Sequence, residues 1–150
     1  MCNPIVVHAA PDDASEVALL FDAYLVWYGA DSDPDKARLF LTQRLTNNES
    51  TLFFAKRNDR PVGFVHLYPL FSSISMEPIW LLNDLFVVED ARGHGIGTLL
   101  LHTAAQYASE LGAIRLELDA AHTNTQAMAL YERLGWKRDD TFQQYVLNLP

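Results

Sequence analysis

Residues 85–98 read Leu85-Phe86-Val87-Val88-Glu89-Asp90-Ala91-Arg92-Gly93-His94-Gly95-Ile96-Gly97-Thr98: an apolar run, one arginine and three alternating glycines. An apolar strand that turns through glycines into a helix leaves the first helical N–H groups without internal partners, at the positive end of the helix dipole. No Ser, Thr, Asp or Asn stands directly before Gly95 to cap them. Glycines let an anion reach those amides and Arg92 adds a cation at the mouth, so the segment reads as a pyrophosphate cradle, with His94 as a spacer or weak donor. The plainer alternative is a turn in which glycine only relieves backbone strain. Two familiar nucleotide loops are excluded. Gly-x-Gly-x-x-Gly fails because its third position falls on Thr98 or Leu100, and no lysine is present for a Walker loop.

Chemistry is also concentrated at Asn83 and Asp84, polar residues inside the apolar run Ile79–Val88. A carboxylate there either works as an acid–base group or orients backbone and a neighbouring arginine. Seven acids (Asp12, Asp13, Glu16, Asp22, Asp31, Asp33, Asp35) and no Lys or Arg lie between Asp12 and Asp35, with Tyr24, Trp27 and Tyr28 among them. Aromatic faces beside carboxylates suit an alkyl ammonium. The alternative is a solvated helix face whose aromatics fill the core. His8, His66, His94, His102 and His122 show no paired ligand spacing, so no metal is expected.

These groups need elements to hold them. Ile5 to His8 is a β-branched run that predicts a first strand. Asp13-Ala14-Ser15-Glu16 has capping-box spacing ahead of a helix carrying Val17, Leu20, Phe21, Tyr24, Leu25 and Tyr28, which Gly29 ends. Asp33-Pro34 opens a second helix. Thr51–Lys56, Val62–Tyr68 and Ile79–Val88 predict three strands, the last central and covered on both faces. Residues 69–78, with Ser72, Ser73, Ser75 and Met76, read as a polar loop or a lid. The helix after the cradle runs to Gly112, and Ile114–Asp119 alternates as a strand. Thr123-Asn124-Thr125-Gln126 is a second capping-box pattern before a helix ending at Gly135, and Phe142–Leu149 predicts a last strand. The order is mixed α/β.

With 150 residues, 49% hydrophobic and 20% charged, the chain is expected to form one domain over residues 1–150. A net charge of -8 argues against a nucleic-acid partner and is compatible with a cationic one. Cys2, the single cysteine, excludes an internal disulfide framework. The N-terminus lacks a basic leader, and the longest apolar stretch, Val17–Ala30, is broken by Asp22 and too short to span a bilayer. A soluble cytoplasmic protein is expected, without a membrane partner.

Arg92-x-x-Gly95-x-Gly97 resembles the acyl-CoA pyrophosphate loop of the GNAT N-acetyltransferases, and Asn124-x-x-Ala127-x-x-x-Tyr131-x-x-x-Gly135-Trp136 resembles their second motif. The two occur in the family's order, joined by one helix and one strand. Leu82-Asn83-Asp84-Leu85-Phe86-Val87 looks like the histone and polyamine acetyltransferase subgroup. The resemblance implies a GNAT fold: a mixed central β-sheet with helices on both faces, and acyl-CoA bound where two parallel central strands splay apart. Acetyl-CoA is the implied co-substrate. Leu85, Phe86 and Val87 would line its pantetheine arm and residues 92–98 its pyrophosphate, with Asn124 also on the arm.

The implied reaction is direct attack of a primary amine on the thioester, without an acyl-enzyme. It needs a base for the ammonium, an oxyanion donor and an acid for the departing thiolate. Asp84 is the first candidate base, although the related subgroup places a glutamate at the position of Asn83. On an ideal strand the two residues face opposite sides, and a family bulge near here leaves open which one meets the acceptor. Glu117 and Asp119 are lesser candidates. A backbone N–H at Phe86 or Val87 would hold the oxyanion, and Tyr131 would protonate the thiolate; taken alone, a helical tyrosine is plain core. Tyr24, Tyr28, Asn83 and Asp84 form the expected acceptor side. The acceptor reads as a small cationic amine; a protein lysine or N-terminal amine, and a non-catalytic acyl-CoA-binding module, are the alternatives. A homodimer is expected by analogy with related subgroups, Tyr145–Leu149 supplying an apolar pairing run.

Overall fold

A computed structural model describes residues 3–150, so Cys2 lies outside the described residues. The chain divides into two compact units, one running to Asp119 and one from Ala120 to Pro150. The first holds a five-stranded sheet in the order β1 (Ile5–His8), β2 (Thr51–Arg57), β3 (Arg60–Ser72), β4 (Glu77–Val87), β5 (Leu116–Glu117). The first four strands pair antiparallel and β4 pairs parallel with β5, so the sheet is mixed.

Alternation along the strands assigns each face its helices. Leu52, Phe54, Phe64 and Phe86 share one buried cluster with Val17, Leu20, Phe21 and Tyr24 of α1 (Ala14–Trp27) and Ala37, Leu41 and Leu45 of α2 (Pro34–Thr46). Phe54 and Phe64 are almost fully buried, and each such side chain contributes about 1.5–3 kcal/mol relative to exposure. On the other face α3 (Ile96–Glu110) buries Ile96, Leu100, Leu101, Ala104 and Ala108, and its Tyr107 meets Phe53 edge-on at 5.2 Å. Gly63 of β3 lets α3 sit this close. A Cβ there would lie 3.0 Å from the Phe86 carbonyl oxygen and 3.2 Å from both Ile96 Cγ2 and Leu100 Cδ1.

Several local expectations change. The Asp13 carboxylate does not cap α1; it accepts the Ala10 N–H at 2.7 Å and closes the 3₁₀ turn before the helix. Glu16 leaves the capping box to pair with Lys56 at 2.6 Å. Residues 69–78 are no loop: β3 and β4 run on to Ser72 and Glu77 around a tight turn. The prolines there suggested an interruption, yet β2 pairs with β3 only as far as Leu67, so Pro69 needs no donor on that edge. The strand expected over residues 114–119 shrinks to Leu116–Glu117.

In the second unit α4 (Thr125–Arg133) is capped by Asn124 rather than Thr123; its Oδ1 accepts the Ala127 N–H at 3.3 Å. Gly135 then takes the left-handed φ of 94° and ends the turn. Residues 142–149 form no strand, and Phe142, Tyr145, Val146, Leu147 and Leu149 are exposed. An apolar pattern makes a strand only where a neighbour completes its hydrogen bonds, and no strand pairs with this run among the described residues.

Candidate functional site

The cradle segment folds as a strand, a 3₁₀ turn over Glu89–Ala91, and α3. Gly95 is the N-cap at φ 82°, a left-handed conformation costly for any residue with a Cβ. No side chain caps α3 and no acid lies in its first turn, so its leading amides carry no side-chain partner. Gly93 is also left-handed, at φ 79°, and open space surrounds both glycines where a side chain would project. His94 Nδ1 lies 3.4 Å from the Ala91 carbonyl, within the turn itself. The Arg92 Nε–H donates to the Val87 carbonyl at 2.9 Å, and the guanidinium lies over Phe86 at 5.7 Å and Trp27 at 5.9 Å. Arg92 itself is exposed, and its guanidinium has further N–H groups beyond the one bonded to Val87. These residues fit a polyanion: bare amides, a helix dipole, no blocking side chain and one arginine.

Beside the cradle β4 has an open edge. Its parallel pairing with β5 covers only Trp80 and Leu81, and no strand follows on that side among the described residues. The Val88 N–H donates to Val62 of β3 at 2.9 Å. Backbone groups alternate sides along a strand, so the N–H groups of Val87 and Leu85 point to the open edge while that of Phe86 points to β3. The contact of Arg92 with the Val87 carbonyl agrees with that direction.

On the α1 side the expected acceptor residues meet. The pairing of β3 with β4 passes from His66↔Asp84 to Leu67↔Leu82, which leaves Asn83 as the extra residue of a bulge. Asp84 is thereby buried, at 9% exposure, while Asn83 is exposed and its amide donates to Asp84 Oδ2 at 3.1 Å. Tyr24 is hydrogen-bonded to Asp84 and Tyr28, and burial together with the Asp84 charge pushes its phenol well above the ordinary range. The Tyr24 and Tyr28 rings meet edge-on at 5.0 Å, with Tyr28 exposed. Tyr68 of β3 is also raised, by burial first and then by Asp84.

Two residues of this cluster escaped the sequence reading. His66 is fully buried, its Nδ1 3.1 Å from Asp84 Oδ2 and its Nε2 2.7 Å from Ser50 Oγ. The only sequence signal is a histidine in an apolar strand run, which spacing alone does not connect to Asp84.

The acidic N-terminal segment is largely occupied with structure. Asp22 accepts from the Ser32 hydroxyl and the Asp33 N–H, both at 2.7 Å. Asp33 caps α2 through the Lys36 N–H, and Asp13 and Glu16 are engaged as described. Of the two lesser base candidates, Glu117 pairs with Arg115 on the surface at 2.6 Å. In the second unit, Asn124 caps α4 and Tyr131 follows two turns later, its ring 5.9 Å from that of Trp136. Among the described residues no group of three or more His, Cys, Asp or Glu gathers as a metal site, and no helix is long and apolar enough to cross a membrane.

A mixed sheet with one short parallel pairing, beside a glycine-led helix without a side-chain cap, fits an acyl-CoA transferase architecture. Comparison with known proteins agrees. Residues 17–136 match the acetyltransferase (GNAT) family. An uncharacterized N-acetyltransferase of Bacillus subtilis is 45% identical over 142 residues, 95% of each chain. A probable acetyltransferase of Haemophilus influenzae is 31% identical over 87% of this chain and 88% of its own. The crystal structure of a probable acetyltransferase superposes with a TM-score of 0.91 at 36% identity, covering 97% of this chain and 98% of that one. The chain belongs to the GNAT acetyltransferase family and is an N-acetyltransferase, with acetyl-CoA as co-substrate.

Proposed function

We propose that the protein acetylates a small cationic primary amine by direct attack on acetyl-CoA, with Asp84 as the general base. The observation that carries this reading is the buried Asp84 carboxylate beside Tyr24, Tyr28 and Asn83, on the strand that leads into the cradle. An alkyl ammonium has a pKa of ~10.4, so holding it neutral at pH 7 costs about 4.6 kcal/mol. A fixed carboxylate in a partly dry site supplies that. Because most of the N-terminal acids are engaged with structure, Asp84 provides the recognised charge and the tyrosines the aromatic faces.

In this reading the amides of residues 93–98 and Arg92 hold the pyrophosphate. The pantetheine arm lies along Leu85–Val87, with Asn124 as a further contact. The ammonium gives its proton to Asp84, the neutral nitrogen attacks the thioester carbon, and the Val87 N–H takes the oxyanion. Of the two residues expected for that hole, alternation favours Val87, since the Phe86 N–H turns to β3. The C–S bond breaks as Tyr131 protonates the thiolate; the acylated nitrogen sheds its remaining extra proton, which returns through solvent to Tyr131, and Asp84 releases its own proton to bulk water. Removing one oxyanion donor typically costs ~2.7–4 kcal/mol.

The test is acetyl-CoA consumption across polyamines, free amino acids and peptides. Turnover confined to cationic small amines supports the reading. Preference for peptides moves the acceptor to protein amines, and tight acetyl-CoA binding without turnover on any amine leaves a binding module.

A further inference from the structure

A fully buried imidazole needs a partner for each nitrogen, and His66 has two: Asp84 Oδ2 at 3.1 Å from Nδ1 and Ser50 Oγ at 2.7 Å from Nε2. Its other close neighbours are rings, Tyr68 at 4.8 Å and Phe21 edge-on at 6.3 Å. An ionised carboxylate only accepts, so Nδ1 carries the hydrogen, Nε2 accepts, and the Ser50 hydroxyl is the donor. His66 Nδ1 and Asn83 Nδ2 converge on one oxygen of Asp84, Oδ2, which fixes the rotation of the carboxylate.

We propose that Ser50 and His66 are positioning residues for Asp84: the Ser50 hydroxyl locks the His66 tautomer, and His66 fixes the Asp84 carboxylate in the rotation that meets the acceptor amine. This rests on Asp84 being the base. Ser50 itself is buried at 8% exposure and its hydroxyl is directed into the ring, so it orients rather than attacks. The groups around the pair are Tyr24 from α1 and Tyr28 that follows it, Tyr68 from β3, Asn83 from the β4 bulge, and the Arg44–Glu49 ion pair that acts on Tyr68. None of them donates to Nε2 in place of Ser50.

The test compares His66→Phe, His66→Gln and Ser50→Ala with Asp84→Asn, reading amine kcat and KM separately alongside acetyl-CoA affinity. His66→Phe is expected to lower amine kcat about ten- to hundredfold, the worth of one hydrogen bond to a charged group, with amine KM little changed. Acetyl-CoA affinity is expected to stay unchanged. His66→Gln, which keeps a donor, is expected to recover most of the loss. Ser50→Ala, a mild change that leaves the fold intact should His66→Phe fail to fold, is expected to lower kcat by less. Parental kcat in Ser50→Ala, or a loss in His66→Phe that His66→Gln does not recover, would overturn the proposal. So would acetylated Ser50 found by mass spectrometry during turnover, which would make it a nucleophile. Full activity in Asp84→Asn would instead remove Asp84 as the base, a failure of the proposed function that the same data set identifies separately.

Discussion

The Arg92 Nε–H donates to the Val87 carbonyl at 2.9 Å, so the arginine of the glycine turn is anchored to the open edge of β4. One side chain therefore couples the proposed pyrophosphate end of the cofactor to the strand that carries the proposed oxyanion donor. Arg92→Glu is expected to abolish acetyl-CoA binding, because it removes the anchor and sets a carboxylate against a polyanion. Arg92→Lys keeps a charge but loses the planar fork, and should bind more weakly than the parent by about ten- to hundredfold. Titration calorimetry with acetyl-CoA measures both. Parental affinity in Arg92→Glu would refute the cradle.

Gly63 governs the seating of the helix that begins at the cradle. An added Cβ meets a backbone oxygen, Phe86 O, at 3.0 Å, and that atom cannot swing aside as a side chain can. Gly63→Ala is therefore expected to destabilise the fold by about 1–3 kcal/mol, the usual cost of overpacking. Thermal unfolding should register this as a drop of about 2–4 °C per kcal/mol. Acetyl-CoA affinity should fall as well, since α3 must shift at its first turns. A variant as stable as the parent would show that the sheet and helix yield freely here.

Much of the architecture was legible because it depends on local patterns. The glycines read as a strand-to-helix turn leading into a helix, and such a turn is present, with Gly93 and Gly95 both left-handed. Asp33-Pro34 announced α2, and Asp33 caps it. The parallel central pair and the bulge came with the family resemblance, and both are present. What escaped was non-local or depended on partners. Ser50, His66 and Asp84 meet across separations of 16 and 18 positions, which no periodicity reports. Gly63 looked like any strand glycine, because its constraint comes from α3 rather than from its own φ. The prolines at 69 and 78 implied a loop because the missing donors fall on an edge that the sequence does not identify. Phe142–Leu149 has a strand's composition without a paired neighbour among the described residues.

Tyr24 makes a prediction about alkaline stability. Burial and the Asp84 charge raise its folded-state pKa above the ordinary value of 10.0. A phenol raised in the folded state leaves stability intact below its unfolded pKa. As pH climbs past that value the unfolded chain ionises first, so stability falls, by at most about 1.4 kcal/mol per pH unit for one group. Tyr24→Phe removes this term. Urea unfolding at pH 8 and pH 11 should therefore show a smaller loss for Tyr24→Phe than for the parent. An equal loss in both proteins would mean that the phenol ionises as readily folded as unfolded.

Tyr131→Phe isolates the proposed acid. The Tyr131 ring lies 5.9 Å from that of Trp136, and its carbonyl accepts the Leu134 and Trp136 N–H groups at 3.1 and 3.0 Å. Phenylalanine keeps the ring and the backbone, so these features survive the substitution. If the hydroxyl protonates the departing thiolate, kcat should fall by about 10²- to 10⁴-fold, the usual contribution of a positioned acid. Acetyl-CoA affinity should stay near the parental value, because a proton delivered only as the C–S bond breaks contributes nothing to ground-state binding. The leaving group offers a second measurement. An activated aryl thioester departs as a more stable thiolate that needs no proton, so the deficit of Tyr131→Phe should narrow with that donor. A deficit of equal size with both thioesters would assign the hydroxyl to binding geometry, and undiminished turnover with acetyl-CoA would remove Tyr131 from the mechanism.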